Sequence, residues 1–291
     1  MGDTRIDRAG SVLRAGAAAA LGVVVARRAL EAAVPRADPR WTRTNHRGAP
    51  ISLLEGPATA AGLVAGAVLG GSGAAGLAGA VAAAGGAAFG LVDDLTEDAG
   101  RSRKGLRGHL GALAHGELTT GGLKVLGIGA TSLVAAAIAT PLPARSGDGG
   151  RGPALWGWWV DVASSGALIA ATANIVNLLD LRPGRALKAA LLAAVPALAG
   201  AGGPAAAACV GAAAASLPAD LGERDMLGDG GANALGALVG TAAVLGASRP
   251  VRWALLCGAV ALTVASERVS FTQVIARTPV LREIDAWGRA G

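Results

Sequence analysis

Four acidic residues stand beside long uncharged segments of the chain: Asp93, Asp94, Asp180 and Asp229. An aspartate at a helix end is most often a solvated turn or a cap, so each one alone carries little information. Carboxylates in this number suit a hard cation such as Mg²⁺, which takes oxygen ligands and commonly shares them with substrate phosphates. These residue types therefore favour phosphoryl transfer, which depends mainly on a metal ion and on positioning.

Amide and basic residues accompany these acids. Asn174 and Asn177 precede Asp180 at intervals of three residues, which places all three on one slanting stripe of a helix. Hydrogen bonding between helices is the alternative explanation of such a stripe. The sequence GDGG around Asp229 leaves N–H groups at a helix N-terminus, which is a natural anion site. The remaining polar candidates are Asn45 and Arg47, in TNHRGAP, and Lys104, which suits a phosphate.

The composition predicts a membrane protein. Only 16% of the 291 residues are charged and the mean hydropathy is +0.49, whereas soluble domains carry about a quarter charged residues. No charged residue occurs in the windows 56–92, 125–144, 162–179 and 189–219. Because about 20 apolar helical residues cross a bilayer core, each window corresponds to one or two crossings. We therefore predict an all-α polytopic membrane protein.

Glycine-rich breaks, GGSG at 70–73 and GAGGP at 200–204, divide the longest windows, since glycine and proline mark turns. The result is about nine transmembrane helices in a single integral membrane domain, 1–291. A C-terminal segment, about 269–291, is predicted to be cytoplasmic or interfacial. The predicted helices are 10–34, 53–70, 74–92, 121–141, 156–179, 186–200, 204–218, 231–247 and 251–268.

Arginine and lysine set the expected orientation, because cytoplasmic loops are enriched in them. Basic residues concentrate after the first, third and fifth predicted helices and in the C-terminal segment. Nine crossings then place the N-terminus outside and the C-terminus in the cytoplasm, with the polar candidates on the cytoplasmic face. The net charge of +6 is spread over many loops, which gives no case for nucleic-acid binding.

Four motifs resemble, in order, those of the polyprenyl-phosphate N-acetylhexosamine-1-phosphate transferases, the superfamily that includes phospho-N-acetylmuramoyl-pentapeptide transferase. The resemblance covers about 36–245. NHRGAP at 45–50 occupies the place of the family's first cytoplasmic loop. The four similar motifs are the paired aspartates (GLVDD, 90–94), the basic motif (KGL, 104–106), the Asn-x-x-Asn-x-x-Asp motif (NIVNLLD, 174–180) and the Gly-Asp-x-Gly motif (LGDGGANALG, 227–236).

The resemblance implies transfer of a sugar-1-phosphate, such as N-acetylhexosamine-1-phosphate, from a UDP-sugar to a polyprenyl phosphate with release of UMP. This reaction would serve cell-envelope glycan or glycolipid synthesis at the cell membrane. Mg²⁺, with Mn²⁺ as an alternative, would be bound by Asp229. Asp93 or Asp94 would act as base or nucleophile, and the choice between them and the presence of a homodimer stay open. The implied substrate-binding residues are Asn45, Arg47, Lys104, Asn174, Asn177 and Asp180.

The chain also departs from the family's pattern, so what it resembles is a divergent member of the family. Pro183 stands where the family carries a second aspartate in its third motif, and Arg182, Arg185 and Lys188 lie around it. No histidine follows His115, whereas the family has a His-rich last cytoplasmic loop. Two alternatives therefore stay open: a non-catalytic relative that binds a lipid phosphate or a partner protein, and a secondary transporter with polar residues on an ion path.

Overall fold

The computed structural model describes residues 3–35, 38–45, 47–96, 119–143 and 152–289. Within these ranges the chain forms eleven α-helices and one short hairpin. The strands of the hairpin, β1 (Thr42–Thr44) and β2 (Pro50–Ser52), pair antiparallel between the first two helices. The helices are α1 (Asp3–Ala33), α2 (Glu55–Gly70), α3 (Gly73–Thr96), α4 (Thr120–Ala139), α5 (Gly152–Leu179), α6 (Arg185–Ala194), α7 (Gly203–Leu221), α8 (Gly228–Gly246), α9 (Arg249–Ser266), α10 (Phe271–Arg277) and α11 (Pro279–Ala286).

Five of these helices are long and apolar enough to cross a membrane, and α9 with α10 would add a sixth if that pair, bent by 99°, is one span. The five are α1, α3, α4, α5 and α7. Helices occur at all nine predicted positions, but α2 and α6 have only 16 and 10 residues, fewer than the roughly 20 that a bilayer core requires. The structure thus supports a multi-pass, all-α membrane protein with five to six candidate spans, and the predicted number of nine is not confirmed.

Helix α8 lies at the centre of the bundle, and nearly all of its residues are buried. Helices α2, α3, α5 and α7 pack around it. Small residues allow these contacts to be close: a Cβ atom added to Gly90 of α3 would lie 2.3 Å from the Asp229 carbonyl oxygen. Close approach through small residues is the usual mode of helix packing in lipid. The glycine and alanine content thus brings α3 directly against the start of α8.

Replacing Gly90 by alanine tests this contact. We expect a loss of about 1–3 kcal/mol, because the new methyl group meets backbone that must shift. The midpoint of thermal unfolding in detergent should fall by several degrees. Gly129 of α4 is the matched control, since a Cβ atom there meets nothing within 4 Å. Equal midpoints for Gly90→Ala and Gly129→Ala would contradict the close α3–α8 contact.

The segments that connect α1 to α2, α5 to α6 and α7 to α8 meet at one end of the bundle, called here the site end. Asn45 Nδ2 donates a hydrogen bond of 2.7 Å to Glu223 Oε2, which joins the first connection to the third. The Gly184 N–H donates to the Asp220 carboxylate, which joins the second connection to the end of α7. Those polar residues named from the sequence that the structure describes lie on these connections or towards the helix ends beside them.

Candidate functional site

Three charged side chains, from α3, α4 and α8, meet at the site end. The Lys124 ammonium lies 2.9 Å from Asp93 Oδ2 and also pairs with Asp229 Oδ2. The carboxyl groups of Asp93 and Asp229 are within hydrogen-bond reach of each other. Their side chains are 15% and 29% exposed, so solvent still reaches them. The carboxylates of Asp93 and Asp229 thus both contact the single positive charge of Lys124.

Asp94 has a different role from its neighbour in the sequence. Its carboxylate accepts hydrogen bonds from the backbone N–H groups of Asp229, at 3.0 Å, and of Gly230, at 2.8 Å. Both groups belong to the first turn of α8, where N–H groups have no partner within the helix and where negative charge is favourable. These N–H groups are therefore not free for a substrate anion, contrary to the expectation from the GDGG sequence.

Asp180 extends the same arrangement from the end of α5. Its carboxylate accepts a hydrogen bond from the Gly228 N–H. Burial, followed by the neighbouring carboxylates of Asp220 and Asp229, raises the pKa of Asp180 well above its ordinary value. Asp180 and Asp94 thus bind three successive N–H groups at the start of α8, and they fix the position of Asp229.

Further carboxylates lie beneath this cluster. Glu55, the first residue of α2, is 3% exposed, and neither of its carboxyl oxygens has a hydrogen-bond partner within the described ranges. Asp220 and Asp225 are also buried, and Asp225 pairs with Arg27 at 2.8 Å. Burial raises the pKa of Asp225. A buried carboxylate must be paired, protonated or bound to a cation, and Arg27 supplies this pairing for Asp225.

The two asparagines predicted to bind substrate have different surroundings. Asn174 Nδ2 donates to Thr263 Oγ1 of α9 at 3.2 Å, which is the hydrogen bond between helices considered as the alternative. Asn177 lies one turn closer to Asp180. Its buried Oδ1 has no hydrogen-bond partner in the described part of the chain, so it is the better candidate to contact a ligand.

The predicted residues of the first connection stabilise a turn. Asn45 Oδ1 accepts hydrogen bonds from the N–H groups of Arg47 and Ala49, each at 2.9 Å. The Arg47 side chain pairs with Glu223 at 3.2 Å. These contacts join the turn to the connection between α7 and α8, so their role in substrate binding stays a prediction.

One basic residue predicted for the site lies outside the described residues, and a second basic residue lies in the site although it was not predicted. Lys104 lies outside the described residues. Lys124, which the sequence analysis did not single out, binds both Asp93 and Asp229. The sequence did contain a sign of Lys124, because it is a single lysine directly before the uncharged window 125–144. Ionisable residues at membrane helices are commonly functional. Arg43, one of the basic residues that follow the first predicted helix, donates to the Asp94 carbonyl oxygen.

Comparison with known proteins does not indicate a reaction for this site. No protein-family model and no curated protein matches this chain. The transferase resemblance therefore stays a resemblance of motifs, and the function must be argued from the contacts of Asp93, Lys124 and Asp229.

The site residues fit Mg²⁺ shared with a substrate. Among the described residues, no three histidine, cysteine, aspartate or glutamate side chains are grouped so that they could hold a metal ion by themselves. Asp93 and Asp229 nevertheless offer facing carboxylates, and Mg²⁺ is commonly bound by one or two carboxylates together with waters and substrate phosphates. The oxygen donors thus suit a metal ion that arrives with a diphosphate, and Lys124 is placed to contact the same phosphates.

Proposed function

We propose that this chain is a Mg²⁺-dependent sugar-1-phosphate transferase. It would move a sugar-1-phosphate, such as N-acetylhexosamine-1-phosphate, from a UDP-sugar to a polyprenyl phosphate and release UMP. The observation that best supports this proposal is the meeting of Asp93, Lys124 and Asp229 at the end of apolar helices. Oxygen ligands and a lysine are what a diphosphate with its metal ion requires, and the surrounding helices suit a lipid acceptor.

The proposed reaction assigns different roles to the charged residues. An oxygen of the polyprenyl phosphate attacks the β-phosphorus of the UDP-sugar, and the bond from that phosphorus to the bridging oxygen breaks as UMP leaves. Asp93 is the candidate base for a proton on the acceptor phosphate, because both oxygens of Asp94 are bound to backbone N–H groups. Lys124 balances phosphate charge. Mg²⁺ held by Asp229 would supply further charge neutralisation for the diphosphate.

Two apolar cavities beside the site support a lipid substrate. One has a volume of about 540 Å³, is formed by α5, α6, α9 and the C-terminal helices, and includes Leu179, the residue before Asp180. The other has a volume of about 690 Å³, lies between α2 and α3, and reaches Gly230. An isoprenoid chain is apolar along its whole length, so either cavity offers it burial next to the charged groups.

The proposed reaction also predicts the membrane in which the protein lies and the side of that membrane that the site end faces. Nucleotide sugars are cytoplasmic substrates, so the site end would face the cytoplasm at the cell membrane. The basic residues of the C-terminal segment, Arg268, Arg277 and Arg282, follow α9 and agree with a cytoplasmic C-terminus. The N-terminus would then lie outside for an odd number of crossings, and the product would enter cell-envelope glycan or glycolipid synthesis.

One observation favours a second candidate, a non-catalytic relative that binds a lipid phosphate. Lys124 already pairs with both Asp93 and Asp229, so these carboxylates have a cationic partner without a metal ion. Such a protein would bind polyprenyl phosphate but would release no UMP from any nucleotide sugar.

UMP release from purified protein in detergent separates these functions. The assay contains undecaprenyl phosphate, Mg²⁺ and a panel of UDP-sugars. We expect release that needs both the lipid and the metal ion, that stops on addition of EDTA and that returns with excess Mg²⁺ or Mn²⁺. The metal dependence follows from the oxygen donors and from the diphosphate charge. Lipid binding without UMP release from any donor would favour the non-catalytic relative.

A further inference from the structure

The C-terminal segment returns to the site end and binds the first turn of α6. The Asp285 carboxylate of α11 accepts hydrogen bonds from Arg185 Nε at 2.7 Å and from Arg185 Nη2 at 3.0 Å. The same carboxylate accepts a hydrogen bond of 2.6 Å from Arg289 Nη2. A fork-shaped pairing of arginine with both carboxylate oxygens fixes the relative geometry as well as adding energy.

Two cations of α6 are buried and have their hydrogen-bond partners in the C-terminal segment. Arg185 and Lys188 are each only 5% exposed. Lys188 Nζ donates to the carbonyl oxygens of Asp285, at 2.6 Å, and of Trp287, at 3.1 Å, while Arg185 Nη1 donates to Thr272 Oγ1. A buried cation that loses its partner is strongly unfavourable. The two cations of α6 therefore need the C-terminal segment in this position.

The contacts continue from Asp285 to the turn that carries Asp180. Arg289 Nε donates a hydrogen bond of 2.8 Å to the Pro183 carbonyl oxygen. The next residue, Gly184, has a φ of 71°, and its N–H group binds Asp220. The turn is therefore held by the C-terminal segment on one side and by the end of α7 on the other.

We propose that Asp285 is a positioning residue for the candidate site: through Arg185 and Arg289 it holds the turn 180–184, and thereby keeps the Asp180 carboxylate on the start of α8. This inference deepens the proposed transferase function and rests on it for the meaning of the site. The side chain of Asp285 pairs with Arg185 and Arg289 and not with Asp93, Lys124 or Asp229, so it acts on the charged groups of the site through other residues.

The ionisation of Asp285 agrees with this role. Burial by itself raises its pKa, but hydrogen bonds from Arg185 and Arg289 and the charges of both lower it below its ordinary value. The charged groups that contact Asp285 are Arg185 and Lys188 from α6 and Arg289 from its own segment. Because the folded pKa lies below the unfolded value, the contact is complete at neutral pH and is lost only in acid.

Hydrogen exchange tests the positioning without reference to activity. In Asp285→Asn, which removes the charge that Arg185 and Arg289 share, the amides of residues 181–188 should exchange at least about tenfold faster. Asp285→Glu should restore much of the protection. Glu283→Gln is the matched control, because its side chain is exposed on the same helix and forms no hydrogen bond or ion pair with any described residue. Unchanged exchange in Asp285→Asn would overturn the proposal.

Kinetics separate positioning from simple loss of folded protein. Per folded molecule, kcat for UMP release should fall on the order of tenfold or more in Asp285→Asn, since small displacements of site groups are costly. KM for the nucleotide sugar should change less than about twofold, because Asp285 does not contact Asp93, Lys124 or Asp229, the groups proposed to hold the diphosphate. A purely structural role would lower the folded fraction and leave kcat per folded molecule unchanged, which would also overturn the proposal.

Failure of the proposed function would look different. If the wild-type protein releases no UMP with any donor, the transferase proposal fails, and the exchange of residues 181–188 still decides whether Asp285 holds the turn. If UMP is released but both the exchange and kcat are the same in Asp285→Asn and Glu283→Gln, the transferase stands and the positioning proposal fails.

Discussion

Replacing Asp229 by asparagine should lower UMP release on the order of a thousandfold or more, the largest effect that we expect from a single substitution. The carboxylate pairs with Lys124 and faces Asp93, and in the proposed reaction it holds Mg²⁺ on the diphosphate. An amide keeps the shape but loses the charge, and a loss of metal-based charge stabilisation affects the transition state directly. The rate of UMP release at saturating substrates, per folded molecule, is the measurement.

Asp161→Asn is the control for this substitution. Asp161 is a partly exposed aspartate of α5 and pairs with Arg249 at 2.7 Å, at the opposite end of the bundle. The same chemical change there should leave kcat per folded molecule within about twofold, because Asp161 pairs with Arg249 and Arg252 and not with Asp93, Lys124 or Asp229. If Asp229→Asn keeps its rate, or if both variants lose it equally, the site at Asp93, Lys124 and Asp229 is not the place of reaction.

A comparison of Asp93→Asn with Asp94→Asn should separate a residue that takes part in the reaction from one that stabilises the fold. Asp94 accepts two backbone hydrogen bonds from α8, and an asparagine would turn one acceptor into a donor that faces an N–H group. We expect Asp94→Asn to lose about 1–3 kcal/mol of stability through an unsatisfied buried group. Asp93→Asn should leave the thermal midpoint nearly unchanged and lower kcat by about 10²–10⁴, the usual contribution of a general base.

Thermal unfolding and UMP release measured on the same preparations give both quantities. The assignment of Asp93 as base would be wrong if Asp93→Asn retained most of its kcat while Asp94→Asn lost it without any change in stability. In that case Asp94 would leave the start of α8 when substrate binds.

The two departures from the transferase pattern meet in the structure. Arg185 and Lys188, which follow the position of the missing second aspartate, bind the C-terminal segment. That segment contributes Asp285 and contains no histidine. The residues at the two departures thus belong to one contact between α6 and the C-terminal segment.

The sequence by itself determined the helical architecture. Uncharged windows of 18 residues or more predict apolar helices, and helices occur at each predicted position because their apolar side chains and backbone groups leave few other stable structures in lipid. The break at GGSG joins the end of α2 to the start of α3, and the Gly- and Pro-containing segment 200–204 lies at the start of α7. The number of membrane spans could not be predicted from the sequence in the same way. Helices α2, α6 and α8 pack within the bundle, so they need not have the length or composition of a lipid-facing helix.

Only the tertiary structure decided which polar groups act together. The adjacent residues Asp93 and Asp94 point to different partners, one to Lys124 and the other to the N-terminus of α8, and sequence spacing cannot distinguish them. Lys124, Asp220 and Asp285 enter the site end from segments remote in sequence. Hydrogen bonds and ion pairs act over about 3 Å in space, so the pairing of charges depends on how the helices pack, whereas the apolar windows that build the helices are local and can be read directly.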